Sequence, residues 1–188
     1  LQIIMEHKQY ANKYRKNERY YDGDHEILYR VQKDASKPNN KIVCDLPAYT
    51  VDLRTGYFSG EPIVFASDNQ AQHEAIRDII EYNDFQDLNA ELDIMSSIYG
   101  HAFMVVYIDE DGMLRLGVDD PYNTLVIHDS TIEHKVMGAL RYFEFNDAVT
   151  NEDKIKITLY TKEMIYELEG PITAPEIVGE QPNIFGEI

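Results

Sequence analysis

The chain has 188 residues with 34 acidic and 17 basic side chains, and its formal net charge of −17 excludes an ordinary nucleic-acid-binding protein, which holds phosphates through cations. Hydrophobic residues make up 44% of it, and no apolar run approaches the roughly 20 residues of a membrane span, so we expect a folded chain without a transmembrane helix. The single cysteine, Cys44, excludes an internal disulfide framework and a multi-cysteine zinc site, and we expect it to be buried.

Charge is spread unevenly along the chain. Lys and Arg outnumber Asp and Glu nine to six in residues 1–43, but are outnumbered two to eleven in 44–100, three to nine in 101–150 and three to eight in 151–188. Only the first segment is therefore net basic. The chain begins at Leu1 without a methionine or a signal-peptide pattern, so we expect it to be a fragment of a longer protein.

The first predicted element is a polar helix over residues 3–21, ended by Asp22-Gly23. We expect its apolar contacts at Ile3, Tyr10, Tyr14 and Tyr21. Its basic residues form either a solvated face or a contact for a partner or a phosphate, and they are Lys13, Arg15, Lys16 and Arg19. A short strand over 27–32 and a loop over 33–40 follow, so residues 1–43 form an N-terminal helix and loop.

Two further helices are predicted before residue 83. Asp45 is the expected N-cap of the first, because Pro47 falls in its first turn. Its apolar residues share one face and are Leu46, Tyr49, Leu53 and Tyr57. A short strand over 63–66 comes next, and Asp68 is the expected cap of the second helix, whose buried face would be Ile76, Ile79 and Ile80.

A glycine-containing connector links the first of these helices to the strand. Gly56 and Gly60 relieve backbone strain there, and Pro62 sets the entry into the strand, so the connector should fix the angle between two helices. Ser59 is not centred between glycines as a nucleophile elbow requires. A helix cap explains Ser59 better.

The helix around which the chain is organised is predicted from its apolar spacing, with Phe85, Leu88, Leu92, Met95 and Tyr99 on one face. Gly100 follows as a C-cap, and Asn83 with Gln86 fits a capping box at the start. A central strand over 102–108, a hairpin turn over 109–112 and a strand over 113–118 come next.

The last predicted elements are strands and a tail. After a turn at Asp120-Pro121, strands are expected over 124–128, 136–145, around Ile155 to Leu159, and over 164–168. The prolines and glycines of residues 170–188 predict an irregular tail. The fold is therefore α+β, with N-terminal helices packed on an antiparallel β meander, a core over 44–169 and a tail over 170–188.

A search for catalytic and metal-binding motifs leaves one alternative open. His25-Glu26 and His73-Glu74 begin like zinc-protease helices, but neither has a histidine four residues after the first. Four carboxylates could form a two-carboxylate or metal-dependent hydrolase site, and they are Asp109, Asp111, Asp119 and Asp120. A tight hairpin turn explains residues 109–112 better, because their glycine is misplaced for a calcium loop. We predict no catalytic, cofactor or metal residue.

Five short motifs in one order cover nearly the whole chain. They are YYDGDH at 20–25, NNKIV at 39–43, GYFSGEPI at 56–63, SIYGHA at 97–102 and Asp120-Pro121. With them the chain resembles the portal proteins of tailed bacteriophages, the siphophage head-tail connectors. The residues that we carry over as structural motifs are Gly56, Tyr57, Gly60, Pro62, Tyr99, Gly100, Asp120 and Pro121.

The resemblance implies a structural subunit of a dodecameric ring at one capsid vertex, with no catalysis. Double-stranded DNA would pass through the ring during packaging and ejection, and terminase, head-completion and capsid or scaffold proteins would attach to it. The ring would assemble in the cytoplasm of the bacterial host and remain in the virion. This chain resembles the N-terminal wing, and the stem, clip and crown would come from segments outside it.

A protein-binding adaptor is the main alternative function. Its tyrosine-rich surface would bind one partner protein, and the intact protein would then be a monomer without a tendency to form rings. The carboxylate-dependent hydrolase is the second alternative, and tight binding of a divalent metal would favour it. Neither alternative predicts a ring.

Overall fold

The computed structural model describes residues 1–32 and 36–185. Its helices are α1 (Gln2–Tyr21), α2 (Leu46–Phe58), α3 (Gln70–Tyr82) and α4 (Phe85–Tyr99), with a short 3₁₀ helix at Glu26–Tyr29. Its strands are β1 (Phe103–Ile108), β2 (Leu114–Asp119), β3 (Thr124–His128), β4 (Val136–Asn146), β5 (Asp153–Thr161), β6 (Met164–Pro171) and β7 (Glu176–Pro182). Helices precede strands, which confirms the predicted α+β class.

Two compact units make up the chain. A sheet unit contains residues 1–7 and the chain from Asp119 onward, and a helical unit contains Lys8–Val118. The domain boundaries predicted after residues 43 and 169 stay predictions. Within the described residues, no helix is both long enough and apolar enough to cross a bilayer.

The sheet unit is a five-stranded meander. Strands β3 to β7 lie in chain order, and each is antiparallel to the next. The meander was predicted, but the prediction of a central strand over 102–108 was wrong, because among the described residues β1 pairs only with β2 in a separate two-stranded sheet. A run of strand-forming residues indicates a strand but does not indicate which strands will lie beside it.

The core of the sheet unit lies on one face of the meander. It consists of Ile4, Leu125, Tyr142, Ile155 and Ile157, with Ile127, Leu140 and Leu168 packed against it. Tyr142 lies opposite Ile157, and Ile157 lies opposite Leu168. Side chains that lie directly opposite one another on neighbouring strands point to the same face of a sheet, so all three share one face. The prediction of a contact at Ile3 was wrong, since Ile3 is exposed and the next residue, Ile4, is buried.

The hairpin between β4 and β5 is closed by a carboxylate. Asp147 pairs with the ammonium group of Lys154 and accepts hydrogen bonds from the N–H groups of Val149 (2.9 Å) and Thr150 (3.4 Å). The bond from Lys154, followed by those from the backbone, lowers the pKa of the Asp147 carboxyl to about 2. Asp147 should therefore remain ionised in acid in which an unfolded aspartate would take up a proton.

We expect Asp147→Asn to lower the melting temperature at neutral pH, and this loss should shrink in acid. The folded pKa lies below the unfolded value of about 3.9, so the stabilisation is present above that value and is lost as the pH falls toward about 2. Thermal melts of both proteins between about pH 6 and pH 3 measure the difference. Asp68→Asn, at an exposed position, is the control. If the difference in melting temperature between wild type and Asp147→Asn stayed the same at every pH, the prediction would be contradicted.

Helix α4 is the centre of the helical unit and packs against α2 and α3. Its predicted apolar face is half-buried along its whole length, and Gly100 ends the helix with a φ of 87°, as predicted. Helix α1 contacts the end of α4, because Asn17 Nδ2 donates to the Ile98 carbonyl oxygen (2.9 Å). Helix α1 itself ends as predicted at Gly23, whose φ is 77°.

The predicted capping of α3 and α4 was wrong in detail. Asn69, not Asp68, caps α3, with Oδ1 accepting from the N–H groups of Ala71 (3.0 Å) and Gln72 (3.4 Å). The N-cap of α4 is Asp84 in the left-handed region with φ 47°, so no capping box forms. A polar residue near the start of a helix commonly indicates an N-cap. Where several polar residues are neighbours, the local sequence does not show which of them caps the helix. On α3, Ile76 is exposed whereas Ile79 and Ile80 are half-buried.

Three further predictions in the first half of the chain were wrong. Residues 27–32 begin inside a 3₁₀ helix rather than a strand, and 63–66 form no strand with any described residue. Short apolar runs satisfy both helix and strand patterns, which explains both errors. Cys44 is exposed rather than buried, because it precedes α2 in irregular chain. The first residues of the predicted loop, 33–35, lie outside the described residues.

The tail was predicted to be irregular, which was wrong for residues 176–182. They form β7, which pairs with β6 along its length at the edge of the meander. Pro175 precedes the strand and Pro182 is its last residue, so neither removes an N–H group from its middle. Proline therefore bounds this strand without preventing it. Residues 186–188 lie outside the described residues.

Candidate functional site

The eight residues predicted as structural motifs lie at three junctions. Gly56, Tyr57, Gly60 and Pro62 lie in and after the last turn of α2, Tyr99 and Gly100 end α4, and Asp120 and Pro121 form the turn between β2 and β3. The first two junctions belong to the helical unit and the third to the sheet unit. The candidate site is thus structural, and each junction is described separately.

The end of α2 is held by side chains of α4. Ser59 is the C-cap, as predicted, and its N–H donates to the Thr55 carbonyl oxygen (2.8 Å). Gln86 Nε2 donates to the Ser59 carbonyl oxygen (2.6 Å), and Asn89 Nδ2 donates to Ser59 Oγ (3.3 Å). These bonds satisfy groups that a helix end leaves without partners, so the junction is fixed on α4.

Gly60 is required by a close approach of the backbone. A Cβ atom at this position would overlap the carbonyl oxygen of Gly56, whereas a Cβ atom at Gly56 would meet nothing within 4 Å. The two glycines of this motif therefore differ, and only Gly60 has a steric reason to be glycine. Pro62 lies in the exposed irregular chain that follows.

Asn83 joins the end of α3 to β2, a role that sequence reasoning missed. Its Nδ2 donates to the carbonyl oxygens of Ile79 (2.8 Å) and Leu114 (3.0 Å), and its Oδ1 accepts from the N–H of Leu116 (2.8 Å). Asn83 is only 6% exposed, so all three bonds are shielded from water. An asparagine between two predicted helices is a sequence signal for a junction held by a side chain. The sequence does not indicate which strand this side chain bonds to.

We expect Asn83→Ala to destabilise the protein by about 2 kcal/mol, because a buried donor or acceptor left without a partner costs about 1–3 kcal/mol. Asn83→Asp is the informative second variant. It keeps the shape and the acceptor for Leu116 but replaces both N–H donors, so it should be destabilising as well. Urea denaturation measures both, and wild-type stability of Asn83→Asp would show that the two donated bonds contribute nothing.

Aromatic rings surround the end of α4. Tyr14 of α1 meets Tyr99 edge-on, with 5.9 Å between ring centroids, and its hydroxyl lies 3.3 Å from Nε2 of His101. His101 also meets Phe103 edge-on at 5.1 Å. Burial lowers the pKa of the His101 imidazole, and burial followed by the charge of Tyr10 raises the pKa of the Tyr14 hydroxyl. Both groups are thus held neutral near pH 7, which suits packing rather than acid–base chemistry.

The turn before the sheet is built around a buried carboxylate. Asp119 is 6% exposed, and its Oδ2 accepts from Thr124 Oγ1 (2.7 Å) and lies 2.8 Å from Nε of Arg141 on β4. The Arg141 N–H does not point at this oxygen, so the contact is an ion pair and not a hydrogen bond. Its guanidinium group also lies over the Phe143 ring at 4.7 Å.

Asp120 and Pro121 complete this turn. The N–H of Tyr122 donates to Asp120 Oδ1 (2.8 Å), the N–H of Asn123 donates to the Asp120 carbonyl oxygen (3.0 Å), and Pro121 is almost fully buried. Tyr142 of β4 then donates its N–H to the Asn123 carbonyl oxygen (2.9 Å). The turn is therefore fastened to the meander through both backbone and side chains.

The predicted carboxylate alternative is not favoured by the geometry of Asp109. Oδ1 of Asp109 accepts from the N–H groups of Asp111 (3.1 Å) and Met113 (2.8 Å), and Oδ2 accepts from Tyr82 Oη (2.8 Å). These oxygens close the hairpin, which confirms the predicted turn. The described parts of the chain contain no group of three or more metal-ligating side chains.

One face of α2 is exposed in the part of the helical unit that the structure describes. We call it the outer stripe, and it consists of Leu46, Tyr49, Leu53 and Tyr57, all of which are exposed. The prediction that they share a face is confirmed. Beside it an open groove of about 610 Å³ separates α1 from α2, with Tyr20, Tyr21, Leu46, Pro47 and Ile98 among its lining residues. Polar side chains also line the groove, and they are Lys16, Asn17, Thr50 and Ser97.

Comparison with known proteins identifies the family. The family model described as phage portal protein, SPP1 Gp6-like, matches residues 1–188. The portal protein of Bacillus phage SPP1 is 27% identical over 155 residues, which are 82% of this chain and 30% of the length of that protein. The resemblance drawn from the five motifs is thereby confirmed. The chain belongs to the SPP1 Gp6-like family of phage portal proteins.

Proposed function

We propose that this chain is part of the wing of a phage portal subunit. The intact protein would form a ring at one vertex of the capsid, through which double-stranded DNA is packaged and later released. The family match along all 188 residues carries this proposal. Terminase, head-completion and capsid or scaffold proteins would attach to the ring, and no catalysis, cofactor or metal is assigned to the chain.

The charge of the chain supports the role of a conduit. A formal net charge of −17 repels phosphate groups, so DNA would pass such a surface without being held by it. The structure supports a scaffold role in the same way, because the motif residues fasten helices and turns. Asp120 Oδ1 accepts from the N–H of Tyr122, and the end of α2 next to Gly60 is held by the side chains of Gln86 and Asn89.

The test is the mass and shape of the intact parent protein. Light scattering after gel filtration gives the mass of the assembly, and negative-stain images of the same fraction give its shape. We expect a ring with an open centre. A monomer or a dimer would overturn the proposal and would favour the protein-binding adaptor instead.

A further inference from the structure

The side of α4 that meets α2 is polar. Gln86 Nε2 donates to the carbonyl oxygen of Ser59 (2.6 Å), and Asn89 Nδ2 donates to its Oγ (3.3 Å). Asp93 Oδ1 lies 3.4 Å from a guanidinium nitrogen of Arg54 on α2. The spacing of residues 86, 89 and 93 places them on one face of α4. The contact between the two helices is therefore built largely from amides and an ion pair.

Helix α2 presents its less apolar side to this face. Thr55 lies about 160° around the helix from the middle of the outer stripe, at 100° per residue. Among the described residues, neither Thr55 Oγ1 nor Asp93 Oδ2 has a hydrogen-bond partner, although both atoms are buried. A helix of a folded domain normally directs its apolar stripe at the core, so α2 is oriented the other way round. Its outer stripe faces a surface that the described residues do not supply.

The helical unit has little core of its own. Val51 is the only apolar side chain of its described residues that is buried, whereas a cluster of five buried side chains forms the core of the sheet unit. Beyond α2, Ile63 and Val64 are 46% and 88% exposed in irregular chain where the sequence predicted a strand. A domain normally has a hydrophobic core of its own. Apolar surface from outside the described residues is therefore needed to complete this unit.

The rest of the parent polypeptide can supply this surface. The residues matched in the portal protein of Bacillus phage SPP1 are 30% of its length, so most of that relative lies outside the match. A segment of the same polypeptide meets α2 at an effective concentration of about millimolar, whereas another copy meets it only at its concentration in solution. Cover from the same subunit also removes the apolar patch before copies meet, so unassembled subunits do not associate through it.

We infer that the outer stripe is covered within the same subunit by an apolar segment of the parent polypeptide that lies outside residues 1–188. We call the part of the parent outside these residues the remainder. The stripe extends about 16 Å along α2, which is the length of three helical turns, and offers two leucines and two tyrosines. The covering segment would therefore present aliphatic or aromatic side chains over a similar length. The inference rests on family membership and requires no ring, so it goes beyond the proposed function.

Site-specific photo-crosslinking in the intact parent protein tests this inference. A benzoylphenylalanine replaces Tyr57, which is 84% exposed in the described chain, and ¹⁴N- and ¹⁵N-labelled subunits are mixed before assembly so that mixed-isotope peptides identify contacts between copies. We expect single-isotope peptides that join position 57 to the remainder. The control carries the photo-crosslinker at Ile132, a single exposed apolar residue of the β3–β4 loop that needs no cover, and should give a lower yield of such peptides.

Each possible result of the crosslinking has a distinct meaning. Mixed-isotope crosslinks from position 57 would show that another copy covers the outer stripe, and crosslinks to residues 1–188 would show that this chain covers it. Equal yields from positions 57 and 132 would show that nothing covers it. Any of these three results overturns the inference. A parent protein that forms no ring overturns only the proposed function, since the expected crosslinks lie within one subunit.

Substitution of Leu53 gives a second measurement on the intact parent protein. Leu53→Asp places a carboxylate under the covering segment, and burying a charge without a partner is unfavourable. Proteolysis follows the population of opened molecules, so the half-life of the helical unit against a protease should fall about tenfold or more. Ile132→Asp is the control and should leave this half-life unchanged. Equal half-lives for the two variants would overturn the inference, because Leu53 would then face solvent.

Discussion

Replacing Gly60 with valine should destabilise the helical unit by about 3 kcal/mol, which corresponds to roughly 10 °C in melting temperature. The new Cβ atom would overlap the carbonyl oxygen of Gly56, and a backbone atom cannot move aside as a flexible side chain can. The connector would have to shift, and the shift would disturb the bonds from Gln86 and Asn89 to Ser59. Thermal melts followed by circular dichroism measure the loss.

Gly56→Ala is the matched control, because it lies in the same motif and its Cβ atom would have free space. Alanine is favoured over glycine in a helix by up to about 1 kcal/mol, so this variant should be as stable as wild type or more stable. If Gly60→Val does not accumulate as folded protein, Gly60→Ala tests the same contact with a smaller side chain. An unchanged melting temperature for either Gly60 variant would show that the close approach is not required.

Asp119→Ala should destabilise the sheet unit by about 3 kcal/mol. The substitution removes the acceptor of Thr124 and leaves Arg141 without its carboxylate partner, and losing one member of a buried ion pair costs about 3–5 kcal/mol. We use the lower figure because the Arg141 side chain is 40% exposed and water can partly replace the lost partner. Urea denaturation measures this loss.

Two comparisons make this test specific. Glu133→Ala removes a carboxylate from an exposed ion pair with Lys135, and it should change stability by less than about 1 kcal/mol. Asp119→Asn keeps an oxygen for Thr124 without the charge, so its loss should lie between those of Asp119→Ala and Glu133→Ala. Equal losses for Asp119→Ala and Glu133→Ala would show that burial of this carboxylate adds nothing.

Local patterns in the sequence predicted the elements well. The apolar spacing of α4 and the glycine after it located both the helix and its end, and the strand predicted over 124–128 has the bounds of β3. The alternation of Ile155, Ile157 and Leu159 placed β5 correctly. These signals are local, because each depends on neighbours within one or two turns of the chain.

Contacts between distant parts of the chain could not be predicted in the same way. The spacing of the outer stripe shows that its residues share a face, but not whether that face is covered, and it is exposed. The local spacing of Asn83 and Gln86 predicted a helix cap. The bond of Asn83 to Leu116 could not be predicted, because it joins residues 33 positions apart. Asp119 gave no sign of its ion pair, since Arg141 becomes its neighbour only when β4 pairs with β3.

The packing of Ile4 implies an order of folding for the sheet unit. Strands β3 to β7 need only consecutive hairpins, and a hairpin forms in roughly 1–10 μs, so these contacts can form early. Ile4, however, belongs to a core whose other members begin at Leu125. Bringing Ile4 to Leu125 closes a long loop, and closing it costs more conformational entropy than forming a hairpin between consecutive strands. We therefore expect the first turn of α1 to dock last. Until then, the apolar face of the meander around Ile155 would lack part of its cover, and a nascent chain would be most prone to aggregation at that stage.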